Sequence, residues 1–249
     1  EGGMGSNVSA GLQSDAETDF DGGSNYGGPR FRKVLRPNSD AIKAMKLKKG
    51  ANEITFSVTS DLQGEQTVSA KVYLWPKNAR VIVSDIDGTI TRSDVMGQLL
   101  PVFGKDWSHS GVTSLFNSIE DNGYVFLYLT ARAIGQADQT RTYLQNLKQG
   151  AGDLQEYLPD GPVFLSPDRL FHSFRREVVD RIPYEFKIAA LRDFRTLFPN
   201  WHNPFYAGFG NRATDQRAYV HVGIPECKVF IVNPAGQIVT VNQSFLSSY

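Results

Sequence analysis

The sequence predicts an α/β protein built on a doubly wound parallel sheet, with a smaller β module before it. Three observations predict this fold. From residue 80 onward, short apolar runs alternate with amphipathic stretches of helical period, as in parallel strands linked by helices. Residues 79–84 are mostly apolar and β-branched, which is typical of a strand buried on both faces. Residues 52–58 and 67–75 alternate polar and apolar side chains, as half-buried antiparallel strands do.

The elements of the α/β part follow one another in a regular order. Strands are predicted at residues 79–84, 124–129, 163–165, 228–232 and 238–241, and residues 205–208 lead into a glycine-containing motif. Amphipathic helices are predicted at residues 136–149 and 186–198, and Pro199 ends the second. We divide the chain into a linker, a β module, the α/β domain and a C-terminal strand and tail, at residues 1–30, 31–78, 79–235 and 236–249.

Composition limits the classes of partner and compartment. The chain has 249 residues, with 26 Lys and Arg against 26 Asp and Glu, so no overall positive charge attracts nucleic acid. Cys227 is the single cysteine, which excludes an internal disulfide and fits a reducing compartment; we expect it to be a small buried residue. There is no apolar run of about 18–20 residues and no signal-peptide pattern. We therefore expect a soluble or peripheral protein.

Two carboxylates stand where the apolar run at 79–84 ends. Asp85 and Asp87 lie two residues apart and would point to the same side of an extended backbone. Converging carboxylates are costly unless a cation or a proton offsets their charge. The pattern indicates a Mg²⁺-assisted phosphoryl-transfer site with a carboxylate nucleophile. The alternative is a capped strand end with two solvated carboxylates.

The segment that begins at Asp85 also carries a family resemblance. Asp85-Ile86-Asp87-Gly88-Thr89 resembles the DxDxT signature of haloacid-dehalogenase-type phosphatases, and the string continued to Asp94 is more similar to the lipin family of phosphatidate phosphatases. Further lipin-like segments are Leu74-Trp75, Gly104-Lys105-Asp106-Trp107, Thr130-Ala131-Arg132-Ala133-Ile134-Gly135, Phe209-Gly210-Asn211-Arg212 and Ser247-Ser248-Tyr249. The resemblance implies a haloacid-dehalogenase-like Rossmannoid domain. It also implies that residues 31–78 belong to an immunoglobulin-like β-sandwich that C-terminal strands join.

The resemblance assigns catalytic roles to four residues. Asp85 would attack phosphorus and form an aspartyl-phosphate, and Asp87 would act as general acid and then general base. Thr130 would hydrogen-bond a phosphoryl oxygen, although a threonine at a strand end is ordinarily a helix N-cap. Lys187, at the start of the predicted helix, would neutralise the nucleophile and the phosphate, although a helical lysine is ordinarily solvated.

Other motif residues are candidates for binding the substrate. The Arg132 guanidinium suits a phosphate or headgroup, and its alternative is a surface salt bridge. Gly88, Thr89 and Ala131 flank the catalytic positions and are assigned to substrate binding with it.

The resemblance implies a Mg²⁺ cofactor. We expect the Asp85 carboxylate, the Asp87 backbone carbonyl and Asn211 to bind the metal, because Mg²⁺ takes oxygen ligands and keeps several waters. Asp215 follows Asn211 by four residues and is expected as a ligand or as its support. The alternative for this pair is an Asx turn that caps a helix. His109 is assigned no catalytic role.

The expected function is hydrolysis of phosphatidic acid to diacylglycerol and phosphate, a substrate choice that depends on the resemblance. We expect peripheral association with membranes, in the cytoplasm at the endoplasmic reticulum or nuclear membrane, with a nuclear pool as well. The basic stretch at residues 30–49 would attract anionic membrane, or is simply a solvated face. Two rival hypotheses are a phosphatase of phosphoproteins or soluble phosphoesters and a non-enzymatic regulator.

Overall fold

The computed structural model describes residues 37–60, 62–92, 108–167, 181–240 and 243–248. The predicted linker at 1–30, the start of the basic stretch and the motif at 104–107 lie outside these residues. The chain divides into two compact units, Glu1–Leu74 and Trp75–Tyr249. The division falls four residues before the predicted start of the α/β domain at residue 79.

The first unit contains a short helix and a β-hairpin. Helix α1 is Ser39–Ala44, and the Asn38 side chain accepts a hydrogen bond from the Ala41 amide to cap it. Strands β1 (Gly50–Ser60) and β2 (Gly64–Leu74) pair antiparallel, so the two strands predicted here are confirmed.

The apolar face of this hairpin is more exposed than the alternating pattern predicted. Phe56 lies opposite Val68 in the register, and these side chains are 48% and 67% exposed. Val58 on the same face is 67% exposed. The unit therefore presents two strands with an apolar side, and the predicted immunoglobulin-like sandwich is not established by them.

The second unit is an α/β domain with a sheet of seven strands. The strands of this sheet are β3 (Val81–Asp85), β4 (Val125–Ala133), β7 (Val163–Ser166), β8 (Phe205–Gly210), β9 (Val229–Val232), β10 (Gln237–Thr240) and β11 (Gln243–Ser248). Their order across the sheet is β11-β10-β9-β8-β3-β4-β7. A separate antiparallel pair consists of β5 (Lys148–Gln149) and β6 (Glu156–Tyr157).

The sheet is mixed rather than wholly parallel, which corrects the predicted fold class. Strands β9, β8, β3, β4 and β7 run parallel, whereas β10 and β11 add an antiparallel hairpin at one edge. That C-terminal strands also join the strands of residues 31–78 stays a prediction. The antiparallel edge has a local cause. The turn Asn233-Pro234-Ala235-Gly236 returns the chain directly beside β9, so that β10 pairs antiparallel with it.

Helices cover both faces of this sheet, as the doubly wound prediction requires. They are α2 (Val112–Asp121), α3 (Ala137–Asn146), α4 (Arg181–Arg195) and α5 (Ala213–His221). One core cluster joins Ile82 to Phe116 of α2 and Leu144 of α3, and the other joins Val83 to residues of α4 and α5. Alternate residues of β3 thus point into opposite layers, and β3 is buried along its whole length.

The helix boundaries differ from the predicted ones by several residues. The predicted helix at 136–149 ends at Asn146 because Leu147 takes an extended conformation before β5. The predicted helix at 186–198 begins at Arg181, so Lys187 lies in its second turn instead of opening it. Across the described part of the chain, none of the helices combines the length and the hydrophobicity needed to cross a bilayer.

Candidate active site

The site forms where three neighbouring parallel strands end. Asp85 is the last residue of β3, Thr130 lies in the last part of β4, and Asn211 follows β8 directly. Because β3 pairs with both β4 and β8 in parallel, these ends meet at the same edge of the sheet. We call this the catalytic edge.

Asp85 is nearly inaccessible to solvent and is bound to one cation. Its Oδ1 accepts a hydrogen bond from Lys187 Nζ, and the Thr89 hydroxyl lies 3.4 Å from its Oδ2. Burial raises the pKa of Asp85 to about 7; Lys187 opposes this rise, and the charges of Asp215 and Asp87 add to it. The side chain therefore sits in surroundings that favour neutralisation of its charge.

Lys187 bridges two carboxylates. It is 5% exposed, and its Nζ donates to Asp85 and, at 2.6 Å, to Asp215 Oδ1. Burial disfavours the ammonium, but the two carboxylates outweigh burial and raise the pKa of Lys187 above its ordinary value. Lys187 is thus a fixed positive charge beside the Asp85 carboxylate.

Both oxygens of Asp215 are engaged. Oδ1 accepts from Lys187, and Oδ2 accepts from the backbone amides of Asn211 at 3.1 Å and Arg212 at 3.0 Å. The second set of bonds caps the start of α5. Gly210 is required here, because a Cβ on it would lie 2.4 Å from the Asp215 Cβ.

Asp87 lies in the turn after β3 and is held from the β4 side. Arg132 Nε lies 3.1 and 3.0 Å from its two carboxylate oxygens, and Arg132 Nη2 is 2.6 Å from Oδ1. The Thr130 hydroxyl donates to Oδ2 at 2.9 Å. This fork geometry makes Arg132 a buried partner of Asp87 and excludes the surface salt bridge considered for it.

The remaining predicted site residues lie around these two carboxylates. Gly88 has φ +80°, and its amide donates to the Thr91 hydroxyl, which closes the turn that carries Asp87. Thr89 is fully buried, Ala131 is exposed, and Asn211 is partly buried.

Two supporting residues were not predicted. Thr140 of α3 is fully buried, and its hydroxyl accepts from Arg132 Nη1 at 3.3 Å. Tyr219 of α5 donates its hydroxyl to the Phe209 carbonyl at 2.8 Å. The spacing of Tyr219 four residues after Asp215, on the same helix face, was a signal that could have found it.

His109 and Cys227 are two residues without a predicted catalytic role. His109 is buried, and burial lowers its pKa; it hydrogen-bonds to the Gly88 backbone beside the catalytic turn. Cys227 is exposed, so the prediction of a small buried cysteine was wrong. The cause is its position in a 3₁₀ turn, Glu226–Lys228, that precedes β9 at the surface.

The donor set for a metal ion is mixed. Within the described ranges, no group of three or more His, Cys, Asp or Glu side chains is arranged to hold a metal. When all three are ionised, Asp85, Asp87 and Asp215 carry three negative charges against the two positive charges of Lys187 and Arg132. A cation would offset this excess of one negative charge, and carboxylate, amide and carbonyl oxygens are the ligands that Mg²⁺ takes.

Comparison with known proteins identifies the family of the chain. Residues 33–249 match the family described as LNS2 (Lipin/Ned1/Smp2). The chain is 50% identical to phosphatidate phosphatase PAH1 of Arabidopsis thaliana over 233 residues, which is 92% of this chain and 25% of that protein. It is 49% identical to phosphatidate phosphatase LPIN2 of Mus musculus over 216 residues, 87% of this chain and 24% of that protein.

A fungal relative is similar over the same region. Phosphatidic acid phosphohydrolase 1 of Saccharomyces cerevisiae is 43% identical over 219 residues, 84% of this chain and 25% of that protein. The chain thus spans about a quarter of the length of these curated relatives. Since the family match extends over most of the chain, the protein belongs to the lipin/Ned1/Smp2 family.

Proposed function

We propose that this chain is the catalytic part of a Mg²⁺-dependent phosphatidate phosphatase, which hydrolyses phosphatidic acid to diacylglycerol and phosphate. One observation carries the proposal. Two carboxylates at the end of β3 have separate cationic partners, Lys187 and Arg132, in a chain 43–50% identical to proteins named phosphatidate phosphatases. The resemblance alone supplies the choice of phosphatidic acid among phosphate esters.

In the first step, an Asp85 oxygen attacks phosphorus and the bond from phosphorus to the glycerol oxygen breaks. Asp87 acts here in its protonated form and gives its proton to that oxygen, so diacylglycerol leaves as a neutral alcohol. Lys187, held against Asp85, offsets the negative charge of the nucleophile and of the phosphoryl group. The product on the protein is an aspartyl-phosphate.

In the second step, water attacks the phosphorus of the aspartyl-phosphate. Asp87 takes the proton from water, the bond from phosphorus to the Asp85 oxygen breaks, and phosphate leaves. Thr130 and Arg132 both contact Asp87, and they would share their donors with the phosphoryl oxygens. Gly88, Thr89 and Ala131 would complete the contacts to the phosphoryl group.

The residues present are compatible with Mg²⁺. Asp85, the Asp87 backbone carbonyl and Asn211 would hold it, while the engaged oxygens of Asp215 favour a supporting role for that residue. When bound, Mg²⁺ would supply positive charge to the phosphoryl oxygens.

Two wider proposals follow from the resemblance. Action on a membrane lipid requires peripheral association, and we place the protein at the cytoplasmic side of the endoplasmic reticulum or nuclear membrane, with a nuclear pool. The hairpin β1–β2 would belong to an immunoglobulin-like sandwich completed by another part of a longer chain. The exposed apolar face of the hairpin supports this, because a lone hairpin is marginally stable. The relatives support it too, because this chain matches only about a quarter of their length.

The test is phosphate release from phosphatidic acid in mixed micelles, with and without Mg²⁺, for the wild type and Asp85→Asn. We expect metal-dependent release that the variant lacks. Asp193→Asn is the matched control, because Asp193 is an exposed carboxylate on α4, and it should retain full activity. Activity through Asp85 on phosphopeptides or glycerol phosphate but not on the lipid would overturn the substrate. Inactivity of folded wild type on every phosphoester would favour a regulatory role.

A further inference from the structure

Large apolar side chains are exposed at both ends of the parallel strands of the main sheet. Ile134 and Leu154 are 56% and 80% exposed, and Leu197 and Trp201 are 71% and 69% exposed. Single exposed apolar residues are common on protein surfaces. Their position relative to the active site distinguishes the two pairs.

Ile134 lies at the catalytic edge. It follows Ala133, the last residue of β4, and opens a short 3₁₀ turn. Since β4 and β3 are parallel, Ile134 leaves the sheet at the same edge as Asp85.

The hairpin formed by β5 and β6 is tied to the same edge. The Gln149 side chain donates to the Ser108 hydroxyl at 2.6 Å and to the His109 carbonyl at 2.7 Å. Ser108 forms a β-bridge with Thr91, whose hydroxyl accepts from the Gly88 amide at 3.0 Å. A continuous chain of hydrogen bonds thus connects the base of the hairpin to the turn that follows Asp85.

The loop of this hairpin turns Leu154 towards solvent. Gly150 and Gly152 have φ of +96° and +60°, and the Leu154 amide donates to the Ala151 carbonyl at 3.2 Å. A Cβ on Gly150 would lie 2.2 Å from the Leu154 carbonyl oxygen, so the loop is tight. The apolar tip is therefore supported by a constrained backbone.

A polar cavity of about 420 Å³ lies between the hairpin and the start of α2. Its described lining contains the cations Arg92 and Lys148, the carboxylate Glu156, and four serine and threonine side chains. Cations together with hydroxyl donors suit the phosphate of an anionic lipid headgroup. The cavity thus adds charge complementarity beside the apolar tip.

The second apolar pair lies at the opposite end of the parallel strands. The segment with Leu197 and Trp201 connects α4 to the beginning of β8, and His202 there hydrogen-bonds to the Ala79 carbonyl just before β3 begins. Leu197 and Trp201 therefore lie where the parallel strands start, away from the catalytic edge.

We propose that the β5–β6 hairpin and Ile134 form a membrane-docking surface for bilayers that contain anionic lipids. Leu154 and Ile134 enter the interface, and Arg92 and Lys148 face the headgroups. This orientation brings the catalytic edge to the bilayer. The lipid as substrate rests on the proposed function, whereas the docking itself is measured separately.

The test compares two double variants of the 249-residue chain. Ile134→Ser with Leu154→Ser removes the apolar contacts, and Leu197→Ser with Trp201→Ser is the matched control. Binding is measured by sedimentation with phosphatidylcholine vesicles, with and without phosphatidylserine. Turnover is measured on phosphatidic acid in vesicles and on a short-chain phosphatidic acid dissolved as monomers.

For Ile134→Ser with Leu154→Ser, we expect binding to vesicles containing phosphatidylserine to be about tenfold weaker than for the wild type, because two apolar contacts with lipid are lost. Hydrolysis of phosphatidic acid in vesicles should fall by the same factor. The turnover of this variant on the monomeric substrate and its melting temperature should equal those of the wild type. Lys148→Glu should reduce the preference for phosphatidylserine, since it reverses a charge in the cavity lining.

Three outcomes would overturn the docking proposal. They are full vesicle binding by the first variant, loss of binding by the control variant, and absence of wild-type binding to vesicles containing phosphatidylserine. Failure of the proposed function looks different. The wild type would then be inactive on both vesicle and monomeric phosphatidic acid, while the binding comparison would still decide the docking surface.

Discussion

Asp85 and Asp87 are separated by one residue, yet their carboxylates have different surroundings. Asp85 is buried and bonded to Lys187 from α4, whereas Asp87 is partly accessible and is held by Arg132 and Thr130 from β4. Burial raises the pKa of Asp85 to about 7, and a divalent cation would reverse this effect. The difference shows how neighbouring carboxylates on one strand end can be given separate chemical roles.

The largest expected effect comes from variants that separate the two chemical steps and so test the different roles of Asp85 and Asp87. With an aryl phosphate, whose leaving group needs no acid, Asp85→Asn should form no covalent phosphoprotein. Asp87→Asn should still be phosphorylated but should hydrolyse the aspartyl-phosphate about 100-fold more slowly, because it lacks the general base. Rapid quenching with labelled substrate measures both. Equal labelling of the two variants would contradict the division of roles.

The second test concerns the arginine that holds Asp87. Arg132→Lys keeps the positive charge but loses the two-pronged contact, so kcat/KM should fall about 10- to 100-fold. Arg141→Lys is the control, because Arg141 forms an exposed ion pair with Asp138 and should leave kcat/KM unchanged. Steady-state kinetics on a monomeric substrate measure the effect. Full activity of Arg132→Lys would show that charge alone is sufficient.

The third test uses the raised pKa of Asp85. In the metal-free protein, the stability that comes from its protonated form is present below about pH 4 and is lost as the pH rises to about 7. Mg²⁺ binds the ionised carboxylate, so it should raise Tm by about 4 °C or more at about pH 8 and by less at about pH 5. Scanning calorimetry of the wild type and Asp85→Asn measures this. The same Mg²⁺-induced shift at both pH values would refute Asp85 as a ligand.

The smallest expected effect is that of the residue behind Arg132. Thr140→Val removes the acceptor for Arg132 Nη1 at nearly constant volume, and we expect kcat/KM to fall about threefold to tenfold. Thr140→Ser should restore it. Thr113→Val is a matched control, because Thr113 is also buried but its hydroxyl bonds to Gln149. If both valine variants lose equal activity, the effect is structural and not transmitted through Arg132.

Much of the α/β fold could be predicted because its strands are short, apolar and regularly spaced. The strands at 81–85, 125–133 and 229–232 were all expected within a few residues. Helix α2 and the final strand β11 were not predicted. The antiparallel edge also escaped prediction, because periodicity identifies a strand without revealing its partner.

The residues of the candidate site were predicted more completely than the contacts between them. The order of the motifs identified Asp85, Asp87 and Lys187 as candidates, and the fold brings them together at one edge. The sequence did not predict that Arg132 would hold Asp87 from within the protein or that Thr140 would hold Arg132. Neither contact leaves a periodic signal, because each depends on side-chain packing.

Three features follow from the amino-acid sequence alone: the apolar strand β3, the carboxylates that end it and the alternation that builds a layered α/β domain. These depend on local chemistry: β-branched runs favour buried strands, and polar residues end them. The folded chain alone shows that Arg132, 45 residues after Asp87, holds that carboxylate, and that β10 and β11 extend the main sheet. The physical reason is that such partners are chosen by the packing of elements distant in the chain, where burial and geometry act together.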